Sequence, residues 1–176
     1  VGFAALYGGA DPAQNTGQYN TAIGDGSMNV NSNGSYNTSV GANSLLSNKS
    51  GANNTIVGGR AMEENTIGGS NVAIGYESGK TTQGSGNVFL GNNAGKTATG
   101  NNKLFIHNED ADLNTSLIYG EFDNKLLKVN GITEVVESNT STASITAVKT
   151  YAPGSNAAIA AIYGRNNIDV GHGQGV

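Results

Sequence analysis

Asn20-Thr-Ala-Ile-Gly24, Asn37-Thr-Ser-Val-Gly41, Asn54-Thr-Ile-Val-Gly58, Asn71-Val-Ala-Ile-Gly75 and Asn87-Val-Phe-Leu-Gly91 are near-copies of one pentapeptide. Their asparagines stand 17, 17, 17 and 16 residues apart, and a decayed copy, Asn102-Lys-Leu-Phe-Ile106, starts 15 residues further on. A β-type core recurring at so short an interval belongs to a chain that winds one coil per repeat. Each coil then buries surface that it could not bury alone.

The columns of the repeat give the coil its sides. The fourth position reads Ile23, Val40, Val57, Ile74 and Leu90, always aliphatic. The second, on the same strand face, reads Thr21, Thr38, Thr55, Val72 and Val88, and the third varies through Ala22, Ser39, Ile56, Ala73 and Phe89. Because strand side chains alternate, the constant fourth column is expected to point into the coil. The variable third column, Ile56 and Phe89 above all, is expected to face outward or toward another subunit. The asparagines Asn20, Asn37, Asn54, Asn71, Asn87 and Asn102 are placed to form an amide ladder at the strand spacing of about 4.8 Å. That ladder would satisfy turn backbone; gripping sugars is its other possible use.

Three residues after each motif glycine stand Ser27, Ser44, Ala61, Ser78 and Ala94, with Ala5 in the same place after Gly2. Leu6, Met28, Leu45, Met62, Gly79 and Gly95 follow them. This pattern reads as a second short strand per coil. Turns closing at Gly34, Gly51, Gly69, Gly84 and Gly100 would use glycine for positive φ. Residues 1–101 are thus expected to form six stacked coils.

Composition narrows the class. Leu, Ile, Val and Phe make up only 36 of 176 residues, the level at which disorder becomes plausible. A net charge of only −4 and the periodic aliphatic column argue instead for ordered repeats that share a core between coils and between chains. The shortage of large apolar residues per chain points to a homo-oligomer. Twenty-seven glycines fall in no Gly-X-Y register, which excludes collagen. The absence of cysteine removes disulfides and thiolate metal sites. No apolar run approaches the roughly 18 residues of a membrane span. The basic residues form no stripe, Lys49 being the only one within 1–59, so nucleic acid is not an expected partner. No signal peptide opens the chain, and both ends read as cut from something longer.

The repeat Asn-Thr-Ala-Ile-Gly followed by a small-residue stretch resembles the head repeats of trimeric autotransporter adhesins. It is still more similar to the 15-to-17-residue variant in fibres of phages, phage-tail-like injection particles and large surface proteins of the Bacteroidetes type. Gly86-Asn-Val-Phe-Leu-Gly-Asn-Asn-Ala-Gly95, Asn102-Lys-Leu-Phe-Ile106, Leu117-Ile-Tyr-Gly-Glu-Phe122 and Leu127-Lys-Val-Asn-Gly131 resemble the way such arrays end. The resemblance covers roughly residues 1–131. It implies an all-β, left-handed parallel β-roll or solenoid, a homotrimer, and extracellular attachment to a cell-surface glycan or protein receptor alongside other fibre or particle proteins. The coils here are longer than those of the adhesin head, and 22 residues separate Gly2 from Gly24, so a loop is expected to bulge from the first coil.

Beyond the coils, residues 102–131 carry short apolar strands that read as a cap over the last coil, whose edge would otherwise invite aggregation. Residues 132–176 alternate and turn in the manner of an intertwined Gly-rich β-shaft.

Signals for chemistry are sparse. His107 and His172 stand in no recognisable triad motif. The acidic stretch His107–Asp112 lacks the ligand-and-glycine spacing of a calcium loop and reads as a solvated turn. Glu63, Glu64, Glu77, Glu121 and Asp123 could supply paired carboxylates for glycoside cleavage, though lone surface carboxylates are commoner. The threonine column, a conceivable ice-binding array, is interrupted by Val72 and Val88. No catalytic residue, metal or cofactor is expected. The reading is a non-enzymatic fibre segment for cell attachment, in a phage tail fibre or phage-tail-like injection particle. A bacterial surface adhesin is the alternative, and a depolymerising tailspike the third. The bulging loop Tyr7–Tyr19 is the expected receptor-binding element, through Tyr7, Gln14, Asn15, Gln18 and Tyr19, because tyrosine faces and amides suit sugar rings. Its plainer role would be to close an irregular first coil.

Overall fold

The structure is a computed structural model that describes residues 2–7, 16–110 and 114–130. The strands of the inferred shaft and its linker, with most of the bulging loop, lie outside the described residues. Within them the chain is all-β and has no helix. The strands are β1 (Thr21–Ile23), β2 (Thr38–Val40), β3 (Thr55–Val57), β4 (Val72–Ile74), β5 (Val88–Leu90), β6 (Lys103–Ile106), β7 (Ile118–Glu121) and β8 (Leu126–Val129). They form one sheet in chain order.

From β1 to β6 the pairing is parallel, and motif lies on motif: Thr21 on Thr38 on Thr55, then Val72, Val88 and Leu104. A parallel partner one repeat along the chain is what a coil produces, and the result is a β-solenoid of about five turns. Residues 2–7 lie against the first complete coil, Leu6 N–H donating to the Ser27 carbonyl at 3.0 Å, but contribute no strand. The decayed copy still supplies a rung, β6, but one residue later than expected: Leu104 lies on Val88, and Lys103, whose N–H donates to Asn87 Oδ1 at 2.9 Å, stands where Asn102 was expected in the ladder. The chain then reverses, and β7 and β8 add to the sheet antiparallel.

The sides of the coil are the opposite of those expected from the constant column. Ile23, Val57 and Ile74 are 47, 38 and 44 % exposed, and Val40 and Leu90 are half-buried, whereas Ile56 and Phe89 in the variable column are wholly buried. The physical reason lies one residue before the strand. The ladder asparagines turn inward to reach backbone groups inside the coil, and alternation then puts the third residue of the motif inside as well. Asn54 shows the pattern. Its own N–H donates to Asn37 Oδ1 at 2.9 Å, its Nδ2 donates to the Gly68 carbonyl at 3.0 Å, and its Oδ1 accepts from Asn71 N–H at 3.0 Å. A second ladder runs beside the first. Asn31, Asn48 and Asn65 each donate from Nδ2 to Gly34, Gly51 and Gly68 at 2.9 Å, the same carbonyls that Asn20, Asn37 and Asn54 bind. Buried backbone that could not pair within the sheet is satisfied in this way.

The expected second strand is a turn. Met28, Leu45 and Met62 lie in the left-handed region, at φ of 49°, 49° and 47°, and still pass N–H bonds to the next coil. Left-handed φ disfavours bulky residues by roughly 1–2 kcal/mol each. Full burial of these side chains, worth about 1.5–3 kcal/mol apiece, offsets that cost. The closing glycines Gly34, Gly51, Gly69 and Gly84 do not use positive φ, although Gly100 does. Gly34, Gly51 and Gly84 leave no room for a side chain, because a Cβ there would meet the carbonyl of a glycine in the next coil. Positive φ belongs instead to the motif glycines, such as Gly41 at 139°, where a Cβ would also lie 2.5 Å from the Gly58 carbonyl oxygen.

Inside, the walls compensate each other in size. Met28, Leu45 and Met62 line one wall, and Ala22, Ser39 and Ile56 hold the third column of the same coils. Where Phe89 enters, the opposite wall offers Gly79 and Gly95, and a Cβ on Gly79 would press to 2.6 Å from the Phe89 ring. Toward the first coils the interior turns polar, with Ser27, Ser39 and Ser44 in hydroxyl contact at 2.5–3.2 Å. Toward the cap it turns aromatic, with Phe89 against Phe105 at 5.9 Å and Phe105 edge-on to Tyr119 at 5.1 Å.

Candidate interaction surface

The outer face of the sheet follows from strand register. Because the third residue of each motif points in, the second and fourth point out, and the pairing extends both columns through the cap. One column runs Ile23, Val40, Val57, Ile74, Leu90, Ile106, Ile118 and Val129. The other runs Thr21, Thr38, Thr55, Val72, Val88, Leu104, Gly120 and Leu127. The first column is aliphatic at all eight rungs, over about 34 Å at the strand spacing. Leu117, Leu126 and Phe122 add exposed apolar surface in the cap. The predicted column residues therefore do line up, on the outside.

A second cluster occupies the turns of the third to fifth coils. Arg60 and Glu77 stand at equivalent positions of adjacent coils, as do Glu63, Lys80 and Lys96; Arg60 stacks on Glu77 and Glu63 on Lys80, and Lys96 reaches across to Glu77. Glu77 is buried, with Lys96 Nζ at 2.7 Å, Arg60 Nη1 at 2.9 Å and Lys80 Nζ at 3.5 Å. The Lys96 hydrogen bond, helped by the neighbouring positive charges, holds its carboxyl below the usual range against the effect of burial. Glu63 binds Arg60 Nε at 3.0 Å.

The cap closes on a third polar group. Tyr119 donates its hydroxyl to Glu121 Oε1 at 2.6 Å, Lys103 Nζ stands 2.9 Å from the same oxygen, and Asn124 donates to Oε2. The Tyr119 bond first, then those of Asn124 and Lys103, bring Glu121 down to about 2. Glycoside cleavage needs one carboxyl kept protonated. Both Glu77 and Glu121 are held in the charged form. Asp123 is exposed, and its carboxylate accepts from Asn124 N–H at 3.0 Å. In the acidic stretch, Asp110 accepts from Thr97 N–H and hydroxyl at 3.1–3.2 Å. His107 Nδ1 accepts from Leu117 N–H at 3.2 Å. Among the described residues, no three His, Asp or Glu side chains gather as metal ligands.

The residues expected to bind a receptor are only partly brought together. Gln14 and Asn15 lie outside the described residues. Tyr7 is exposed and lines a depression with Phe3, Ala4 and Asn29. Gln18 pairs with the next coil, its N–H donating to Ser35 Oγ at 3.0 Å and its carbonyl accepting from Tyr36 N–H at 2.9 Å. Tyr19 stacks on Tyr36 with ring centroids 4.9 Å apart. The sequence reading missed Tyr36, the charge stack and the second asparagine ladder. The last two announce themselves by the same 16- and 17-residue spacing, at 31, 48 and 65, at 60 and 77, and at 63, 80 and 96. No protein-family model, curated protein or solved structure matches this chain.

Proposed function

We propose that this chain is a non-enzymatic structural segment of a homotrimeric, extracellular fibre for cell-surface attachment, carried by a phage tail fibre or phage-tail-like injection particle. The observation that supports it is the eight-rung aliphatic column on the outer sheet face. An apolar strip of that length and regularity is rare on a monomer's free surface, and its even repeat suits an identical strip on another copy. The three-residue strands make the strip only two outward residues wide, about 7 Å. So narrow a strip is a poor basis for a face-to-face dimer and a good wedge around a threefold axis. The neighbouring subunits thus meet the constant column, and not Ile56 and Phe89, which the coil itself consumes. The sequence resemblance to trimeric fibre and adhesin heads points the same way.

Light scattering on the chain tests the assembly. A mass near three times the 17.8 kDa chain is expected. Leu90→Asp with Ile106→Asp is expected to give monomers whose circular dichroism matches the parent. A parent chain that is a stable monomer overturns the trimer. Binding of the labelled trimer to bacterial cells tests attachment, and its absence, while the intact particle still binds, makes this segment a spacer. Antibody labelling of the native source decides between a particle fibre and a bacterial surface adhesin, the second reading that the resemblance supports.

A further inference from the structure

The residue that precedes each ladder asparagine lies in the left-handed region throughout the stack. Tyr19, Tyr36, Asn53, Ser70 and Gly86 have φ of 57°, 59°, 60°, 57° and 70°, and Asn102, before Lys103 in the ladder's place, has 57°. Glycine and asparagine adopt this conformation readily and tyrosine does not. The backbone therefore gives no reason for tyrosine in the first two places. Burial gives none either, since the rings are 72 and 60 % exposed. Neither hydroxyl has a hydrogen-bond partner among the described residues. What the two tyrosines do is lie parallel, 18° between planes. Each covers one face of the other and leaves its second face open.

The column then steps down in size. Below Tyr36 come Asn53 and Ser70, both exposed, and then Gly86 without a side chain. At one strand spacing per coil, about 4.8 Å, Asn53 leaves an open shelf beneath the free face of Tyr36. An aromatic face beside an amide and a hydroxyl is matched by a pyranose ring. Its axial C–H groups lie on the aromatic ring, and its equatorial hydroxyls bond to polar groups at the edge. Lys49 is the only basic residue in 1–59, so the surroundings favour an uncharged sugar over a sulfated or sialylated one.

We infer that Tyr36, backed by Tyr19 and with Asn53 and Ser70 beneath it, forms a stacking subsite for the apolar face of a neutral pyranose. The inference rests on the attachment reading and names its ligand class. A threefold assembly would present three such subsites and gain avidity from them.

Saturation-transfer NMR on the full chain, with lactose, maltotriose, cellotriose and chitotriose as probes and sialyllactose as the charged comparison, provides the test. Saturation of sugar C–H protons by at least one neutral probe is expected, with shifts confined to the Tyr19 and Tyr36 ring signals. Tyr36→Asn places at this position the residue the column already accepts at 53, so the fold is retained. It is expected to weaken binding about tenfold or more. Tyr36→Phe should bind within about twofold of the parent, because stacking needs no hydroxyl. Lys125→Ala, in the cap, should leave binding unchanged. The subsite is overturned if no neutral probe is saturated, if Tyr36→Asn binds like the parent, or if Tyr36→Asn lowers the assembly's mass, which would make the ring pair a subunit contact. Cell binding separates the two levels. Tyr36→Asn chains that still attach to cells as the parent does refute the subsite and leave attachment standing. A parent that binds a sugar but no cell does the reverse.

Discussion

The inner and outer columns of the same sheet differ in a way that inverts a common assumption. The inner column reads Ala22, Ser39, Ile56, Ala73, Phe89, Phe105, Tyr119 and Lys128, changing in size and polarity at almost every rung. The outer one, from Ile23 to Val129, hardly changes. A coil interior is closed by its own opposite wall, so a large residue on one side needs only a gap on the other. Phe89 with Gly79 and Gly95 is the clearest instance. Constancy is therefore no mark of the interior here. In the proposed trimer it would mark the face that another copy covers.

The comparison is most easily broken at adjacent residues. Ile56→Asp places an unpaired charge at a fully buried position. It is expected to cost about 4 kcal/mol or more, read as loss of the cooperative urea transition. A variant that melts like the parent would falsify the inward assignment of the third column.

Asn54→Ala comes next. It removes the acceptor of Asn71 N–H inside the coil, while the Gly68 carbonyl keeps its bond from Asn65 Nδ2. An orphaned buried group costs about 1–3 kcal/mol, and a loss of that size is expected in equilibrium melts. A loss under about 1 kcal/mol would show that water replaces the ladder.

From β1 to β5 the strand positions and register were legible in the sequence, because pairing follows the repeat residue for residue; at β6 pairing falls one residue later than the Asn102 copy predicts. Which face was inside was not. A three-residue strand has one residue on one side and two on the other, so alternation alone leaves its sides undetermined. The deciding clue was the asparagine before each strand. If Asn20 and Asn37 must reach into the coil, Ala22 and Ser39 go with them. The pairing of Phe89 with the glycines at 79 and 95 carried the same message. The candidate site was less legible. Tyr36 looks like any turn residue until its coil neighbour Tyr19 is known to lie in contact. The expected Tyr7–Tyr19 cluster divides between two places, Tyr7 beside Phe3 and Tyr19 on Tyr36.

Acid should weaken the cap through Glu121, as it does the coils through Glu77. The inner column ends on Tyr119 and Lys128, and there charge takes over from apolar packing. Glu121 falls from 4.5 to about 2 in the folded chain. A carboxyl with a lowered folded value stabilises fully above its unfolded value and loses that contribution as protons bind the folded form. Between about pH 4.5 and 2 the cap should therefore weaken, followed through the near-ultraviolet signal of Tyr119. Glu121→Gln should flatten that dependence while leaving the behaviour of the coils unaltered. An unchanged acid profile would show that Glu121 does not secure the cap.

The smallest effect on the fold is expected at Val57→Asp. Val57 lies next to Ile56 in the chain but on the outer face, more than a third exposed. In a single dissociated chain its carboxylate reaches water, and an exposed substitution shifts stability by no more than about 0.5 kcal/mol. In the trimer the same carboxylate would meet two copies of itself at the aliphatic strip, with neither water nor a cation to offset the charge. The variant should thus melt like the parent in the monomeric Leu90→Asp, Ile106→Asp background, yet shift the parent assembly to monomers by light scattering. The two measurements answer separate questions. Unfolding in the monomeric background would mean that the outer column is part of the coil's own core. Retained association would mean that the strip is covered by something other than another copy of this chain.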